Sequence, residues 1–551
     1  MSARTRNAPT RNAPTRNERT GNAPTRNAPG RRTPVRRAPV LMLQGTGSGV
    51  GKSLLTAAFC RLARRRGIAV APFKGQNMSN NAAVTADGGE IGRAQALQAR
   101  AAGVDPHVDM NPVLLKPLAD TRSEVVHLGR TDREATDLPW RERKPRLWPV
   151  VTGALARLRD RFELVIAEGA GSPAETNLRD CDIVNMAVAR HAEAHVVLIA
   201  DIDRGGAFAS LYGTWALLSA ADRALFRGFV LNRFRGDPAL LAPAPDTLRE
   251  RTGVPVLGVV PWIDHNLPEE DGGPDLAPGA ANAPAIAVAA YPRAANLDDL
   301  DPLRREPGLR LRWIRRPRDL TALTAPPGLA AIILPGSRNT LDDLRWMKHT
   351  GLSDAIRALA ADGVPVVGLC AGYQIMGSRI ADPNDIEGGG EEAGLGILDL
   401  ATELAPAKEV RLTRARITGE QPRWLKDEEG EGVVGYEIHH GRTRAAPALR
   451  PWLADGPRGL GHADGAHWGC YLHGAFGNDR LRTAWLRSLG LRGGAGTWHG
   501  AVDRELDRLA DTVERCLDID AVFADVLGRP LAVSHRPDRA SLARPSVTPG
   551  R

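Results

Sequence analysis

Short apolar runs, each closed by a glycine-rich or acidic turn and followed by a helical stretch, constrain this chain more than any other feature. VLMLQ, IAVAPFKG, LVIAEGAG, HVVLIADID, GFVLNRF and PVLGVVP are almost continuously hydrophobic. Strands with one wet face alternate; strands buried on both faces read like these. With helical segments between them, they predict an α/β fold, a mostly parallel sheet covered by helices. Ligands of such sheets bind at the C-terminal strand ends, so the polar residues there are the first candidates for chemistry. A second series follows: IAVAAYP, LRLRWI, AIILPGS and VPVVGLC. At 551 residues the chain exceeds the size at which one core stops growing, so two domains are expected.

The predicted divisions are a tail over 1–38, a first α/β domain over 39–263 and a linker over 264–284. A second α/β domain follows over 285–500, then a C-terminal helical segment and frayed tail over 501–551. The linker is rich in Pro, Gly and acids and has no apolar period. Residues 1–39 repeat RNAPT-like units and hold ten Arg and one Glu, so the whole net charge of +9 sits there. A high pI would usually favour nucleic acid, but a basic tail on a neutral body does not. The tail lacks large apolar residues and reads as disordered. It has no apolar h-region, and no apolar run approaches the roughly 20 residues that span a bilayer. Five scattered cysteines without CxxC spacing suggest a reducing, cytoplasmic setting and no structural zinc.

Two motifs carry chemistry. QGTGSGVGKS follows a strand and opens a helix, as a phosphate loop should. Counted strictly, its first glycine position is Thr46, so it departs slightly from the common spacing. Backbone N–H groups around Gly49 and Gly51 still form an anion nest, Lys52 reaches the terminal phosphates and Ser53 is placed to hold Mg²⁺. Glu168 ends the strand LVIAE and is a second metal candidate. Asp201 and Asp203, at the next strand end, are weaker ones. The other motif is GLCAGYQ, where four apolar residues run into G-x-C-x-G. Flanking glycines let the backbone bend and expose the Cys370 sulfur as a nucleophile, while the N–H of Ala371 can meet an oxyanion. His473 in YLHGAF is the matching base, and Gly336 in LPGS a second oxyanion donor. Cys470 has no such turn and is assigned to the core. His439 and His440 are adjacent on a strand and face opposite ways, which argues against a shared metal.

Together these motifs resemble the glutamine-dependent cobyric acid synthase family of cobalamin biosynthesis, over about residues 40–500. PFKGQNMSNNA and EGAGSPAETNL are the discriminating matches; GGEIGRAQALQA, MNPVLLKP, DIDRGGAFASL, LPGSRNTLDDL, GLCAGYQIMG, GYEIHHGRT and YLHGAF support them. The resemblance implies a dethiobiotin-synthetase-like phosphate-loop domain joined to a class I glutamine amidotransferase-like domain. It implies ATP, Mg²⁺ and glutamine as co-substrates and no tightly bound organic cofactor. The implied reaction amidates the b, d, e and g carboxylates of adenosylcobyrinic acid a,c-diamide. The alternative is the related cobyrinic acid a,c-diamide synthase; a partitioning ATPase is disfavoured by the Cys370 turn. The implied partners are small molecules, with no nucleic acid and no membrane; a homo-oligomer is compatible. By the same resemblance Lys74 would face the substrate carboxylate, Asn232 would read adenine and Glu90 is a further metal candidate. Class I relatives place a Glu two residues after the histidine. That position is Ala475, so the sequence offers no carboxylate to orient His473, and glutaminase activity without ATP and corrinoid is expected to be slow.

Overall fold

A computed structural model describes residues 37–119, 122–268, 283–326, 328–418, 422–494 and 496–531. The repeat tail, most of the 264–284 linker and the end of the chain lie outside the described residues. Ala38, counted above with the tail, is buried and exchanges hydrogen bonds with Arg159, so the body starts there.

The first half is built on six parallel strands: β1 (Val40–Gly45), β2 (Val70–Phe73), β3 (Leu164–Glu168), β4 (His195–Asp201), β5 (Phe226–Phe234) and β6 (Val256–Pro261). Their order is β6-β5-β4-β1-β3-β2, so β1 lies inside the sheet and its turn opens at the strand ends between β3 and β4. Helix α1 (Lys52–Arg65) follows that turn. Leu55, Phe59 and Leu62 recur at helical spacing and are buried; Arg64 and Arg65 stand in the last turn, where the helix dipole favours cations.

An excursion between β2 and β3 is not part of the parallel pattern. It forms a four-stranded sheet (Gln76–Met78, Val113–Ala119, Arg122–His127, Arg130–Thr131), a short hairpin (Ala82–Val84 with Glu90–Gly92) and helix α2 (Arg93–Ala102). These strands are short and rich in polar residues, so periodicity does not announce them. Ala82, Val84, Leu114 and Val126 of this excursion pack on Tyr436 and Ile438 of the second half.

The second half is a larger mixed sheet. β7 (Ala285–Ala289), β8 (Arg310–Ile314), β9 (Leu329–Leu334), β10 (Val366–Leu369) and β13 (His467–Cys470) run parallel in the order β8-β7-β9-β10-β13. Beyond β13 the sheet turns antiparallel and reaches β11 (Leu400–Ile417), which forms a long hairpin with β12 (Gly432–Ala445); Arg379–Asp382 pairs parallel with β11, and Gly390–Ala393 closes the edge. Cys370 stands between β10 and the short helix α3 (Ala371–Ile375).

The chain then returns. Helices α4 (Trp498–Cys516) and α5 (Ile519–Leu527), expected as a C-terminal helical segment from residue 501, pack on α1 and against the first sheet. Val502, Leu506, Leu509 and Val513 make an apolar stripe that needs cover, and α1 supplies it. Phe59 meets Phe523 edge-to-face at 6.1 Å. Arg61 clasps Asp507 at 2.8 and 2.9 Å, and Arg66 bonds Glu514 and Asp520 at 2.6 and 2.5 Å. Phe523 is fully buried, so Phe523→Ala is expected to cost about 3–5 kcal/mol. Chemical denaturation checks this; an unchanged midpoint would mean that α5 does not dock.

Candidate functional site

Two sites stand on the strand ends of the two sheets. At the first, Gly49 and Gly51 have φ of 70° and 94°, a region that favours glycine. A side chain on Gly51 would also collide with the Asn232 amide at 2.2 Å. Lys52 Nζ donates to the carbonyl of Gly47 at 2.7 Å and of Gly171 at 3.2 Å. Gly171 belongs to the EGAGSPAETNL motif, so that motif closes directly over the phosphate loop. Asn185 pins it from below, donating to the Ala170 carbonyl at 2.6 Å and accepting from the Ala170 N–H at 3.0 Å.

Glu168 is the hub of this site. Its Oε1 accepts from Ser53 Oγ at 2.8 Å and from Lys74 Nζ at 2.9 Å, and its Oε2 from Gln98 Nε2 at 2.6 Å. Burial would raise its carboxyl; Lys74, then Ser53 and Gln98, hold it below the usual range. Ser53 and Glu168 present hard oxygen donors side by side, a set that fits Mg²⁺. Among the described residues no cluster of three His, Cys, Asp or Glu could hold a metal. An ion here would therefore draw its remaining oxygens from phosphate and water. Asn232 reaches the loop with its Nδ2 on the Val50 carbonyl at 2.8 Å, which leaves its oxygen and its second amide N–H to meet a base. Asp201 and Asp203 turn instead to Arg233 and Arg235 at 3.0 and 3.2 Å.

Glu90 does not fit a metal role. It lies buried between Lys116 and Lys408, the latter 2.6 Å away. Burial would raise its carboxyl, but these lysines hold it down to about 2. A divalent ion would have to displace two ammonium groups, so Glu90 is no metal ligand here. Lys116 lies 26 residues after Glu90 and Lys408 much further along the chain, so only folding brings the three together. Lys408 belongs to β11, so the cluster joins the two halves.

At the second site, Cys370 has φ 51° and ψ −105°, a strained conformation for a residue with a side chain. Its N–H donates to the Cys470 carbonyl at 2.8 Å, while Cys470 itself is fully buried. Ala371 opens α3, whose first N–H groups have no acceptor within the helix. A Cβ on Gly336 would lie 3.1 Å from the His473 ring, so this glycine sits against the base. The ring also meets the Cys370 sulfur and stacks on Tyr436, centroids 5.1 Å apart.

Sequence reasoning missed the partner of His473. Asp299 Oδ2 faces His473 Nδ1 at 2.7 Å, and Asp299 Oδ1 accepts from the Gly474 N–H at 2.6 Å. Burial would lower the imidazole pKa; the facing Asp299 carboxylate and the Cys370 sulfur outweigh it and raise it well above the usual histidine range. Ala475 is thus no gap: the orienting carboxylate comes from a turn after β7 instead of from the residue two beyond the histidine. The premise for a slow basal glutaminase falls with it. Cys370 opens on a cavity of about 740 Å³ between the halves, which Glu90, Glu124 and Lys408 also line.

A thiol–imidazole–carboxylate set on one sheet and a phosphate loop on the other define the class, an ATP-dependent glutamine amidotransferase ligase. Residues 285–481 match the CobB/CobQ-like glutamine amidotransferase domain, and residues 41–272 the CobQ/CobB/MinD/ParA nucleotide binding domain. A cobyric acid synthase of Deinococcus radiodurans is 50% identical over 497 residues, covering 88% of this chain and 100% of that one. Those of Chloroflexus aurantiacus and Paracidovorax citrulli are 49% and 48% identical, covering 87% of this chain and 97% of each relative. The chain belongs to the cobyric acid synthase family, whose glutamine-dependent amidation serves cobalamin biosynthesis. Among the described residues no helix is long and apolar enough to cross a membrane.

Proposed function

We propose that this enzyme converts adenosylcobyrinic acid a,c-diamide to adenosylcobyric acid by amidating the b, d, e and g carboxylates. The observation that carries the reading is one chain holding both a Cys370–His473–Asp299 set and a Glu168-centred phosphate loop, in a family of cobyric acid synthases.

Cys370 Sγ attacks the side-chain amide carbon of glutamine, and His473 takes its proton. N–H groups near Gly336 and Ala371 stabilise the oxyanion. His473 returns the proton to the leaving ammonia, and water then cleaves the glutamyl thioester. At the other site a corrin-side-chain carboxylate oxygen attacks the γ-phosphorus of ATP, and ADP leaves. Ammonia attacks the resulting acyl phosphate, and inorganic phosphate departs with one former carboxylate oxygen. Lys52 neutralises charge on the phosphates, and Lys74 would hold the acceptor carboxylate. Magnesium held by Ser53 and Glu168 would add positive charge at the β- and γ-oxygens. Asn232 would read the base with its amide oxygen and remaining N–H.

Asp299→Asn is expected to lower glutamine hydrolysis about 10²–10⁴-fold, because the amide favours the wrong imidazole tautomer and no longer offsets the imidazolium charge. Ammonium-driven amidation should persist. Glutamate release and amide formation measured on one preparation check both halves. The substrate is tested by incubating the enzyme with ATP-Mg, glutamine and either adenosylated cobyrinic acid a,c-diamide or cobyrinic acid, then weighing the products. Fourfold amidation of the a,c-diamide supports the reading; amidation only at a and c of cobyrinic acid would replace it with the diamide synthase alternative.

A further inference from the structure

The GGEIGRAQ and NMSNNA motifs belong to the first half, yet their side chains end on the turn that carries Asp299. Arg93, the first residue of α2, pairs with Asp298 at 2.7 Å. Asn81 accepts from the Asn296 N–H at 2.8 Å, and its own carbonyl accepts from the Arg93 N–H at 3.3 Å. Asn296 has φ 55°, so the turn is bent tightly at the point where Asn81 grips it.

That turn is electrostatically unfavourable by itself. Asp298, Asp299 and Asp301 fall within four residues, and all three are buried. Like charges this close repel strongly away from water. Arg304 answers Asp301 at 3.2 Å and Arg93 answers Asp298. Asp299 is then left to His473 and the Gly474 N–H. Without a cation on Asp298, the turn has reason to rotate its carboxylates toward solvent or to His473, and Asp299 would lose its register on the ring.

The middle of α2 touches the other site. Gln98, five residues on from Arg93, donates to Glu168 at 2.6 Å and to the Ser53 carbonyl at 3.3 Å. The helix start is fixed as well, because the Gly92 N–H donates to Asn111 at 2.8 Å and a Cβ on Gly92 would strike Asn77 and Gln95. One short, firmly seated helix therefore spans from the Glu168 hub to the Asp298–Asp299 turn.

We propose that Arg93 is a positioning residue of the glutaminase, supplied by the amidation half through α2, which holds the Asp298–Asp299 turn so that Asp299 orients His473. The inference rests on the assignment of Cys370 and His473 as the glutaminase. Arg93 touches no reacting atom; it acts through Asp298 and Asp299.

The test measures glutamate release and ammonium-driven amidation by the full-length enzyme and its variants. Arg93→Gln should lower kcat for glutamine hydrolysis at least about tenfold and leave KM within about twofold, since the geometry of the base is lost but the glutamine pocket is not. Arg93→Lys should recover most of that loss. Asp298→Asn should reproduce it, and the double variant should be no slower than either single one, because the pair acts as a unit. Ammonium-driven amidation by Arg93→Gln should stay within about twofold of the parent. Unchanged kcat in Arg93→Gln, no recovery by Lys, an additive double variant, or an equal fall in ammonium-driven amidation would each overturn the proposal. Cys370→Ser serves as the control: glutamate release surviving in that variant would instead sink the glutaminase assignment.

Discussion

Cys370→Ser should lose glutamine-dependent amidation by at least about a thousandfold while retaining amidation from ammonium at high pH. The thiol is needed only to release nitrogen from glutamine, and a serine hydroxyl is a far poorer nucleophile in a site shaped around sulfur. Activation of the acceptor takes place on the other sheet, at Lys52, Ser53 and Glu168, and free ammonia reaches it without a thioester. High pH matters because ammonium must lose a proton before it can attack. The strained backbone at Cys370 is unchanged by this swap of one atom, so folding should be unaffected. Product mass with glutamine or ammonium as nitrogen source gives the answer. Loss of both activities in a folded variant would refute the division of labour between the two halves.

Lys52→Ala should behave in the opposite sense, losing amidation with either nitrogen source by about a thousandfold and keeping Cys370-dependent glutamine hydrolysis. Lys52 bridges the Gly47 carbonyl of the loop and the Gly171 carbonyl of the motif above it, so its removal takes both a phosphate cation and a tie between two loops. Neither effect extends to His473 or Asp299, which lie in the second half. Parallel assays of ADP formation, amide formation and glutamate release separate the steps. Normal amidation from ammonium in this variant would show that phosphate is handled elsewhere.

Much of this was legible in the sequence because it is local. A phosphate loop, a strand-end Glu168 and a cysteine elbow are each written within a few consecutive residues, and buried parallel strands announce themselves by composition. What stayed hidden is written across distance. Asp299 lies 174 residues before His473, one of three aspartates in LDDLD with no spacing that marks it. The resemblance made Glu90 a metal candidate, and nothing local contradicts it, because Lys116 and Lys408 are brought to it only by folding. The final helices are legible as a helical segment, but their apolar stripe names no partner, and only packing shows α1 beneath it. Gln98 and Arg93 sit on one helix whose start and middle serve two sites, which no reading of its own residues could reveal.

The central claim is that the acceptor carboxylate is activated by phosphorylation at the Lys52–Glu168 site before ammonia from the Cys370 site attacks it. It is tested most directly by labelling the acceptor carboxylates with oxygen-18, running amidation with glutamine and ATP-Mg, and recovering the phosphate. One labelled oxygen in inorganic phosphate for every amide formed is the expected result. Label in AMP, or unlabelled phosphate alongside complete amidation, would contradict it.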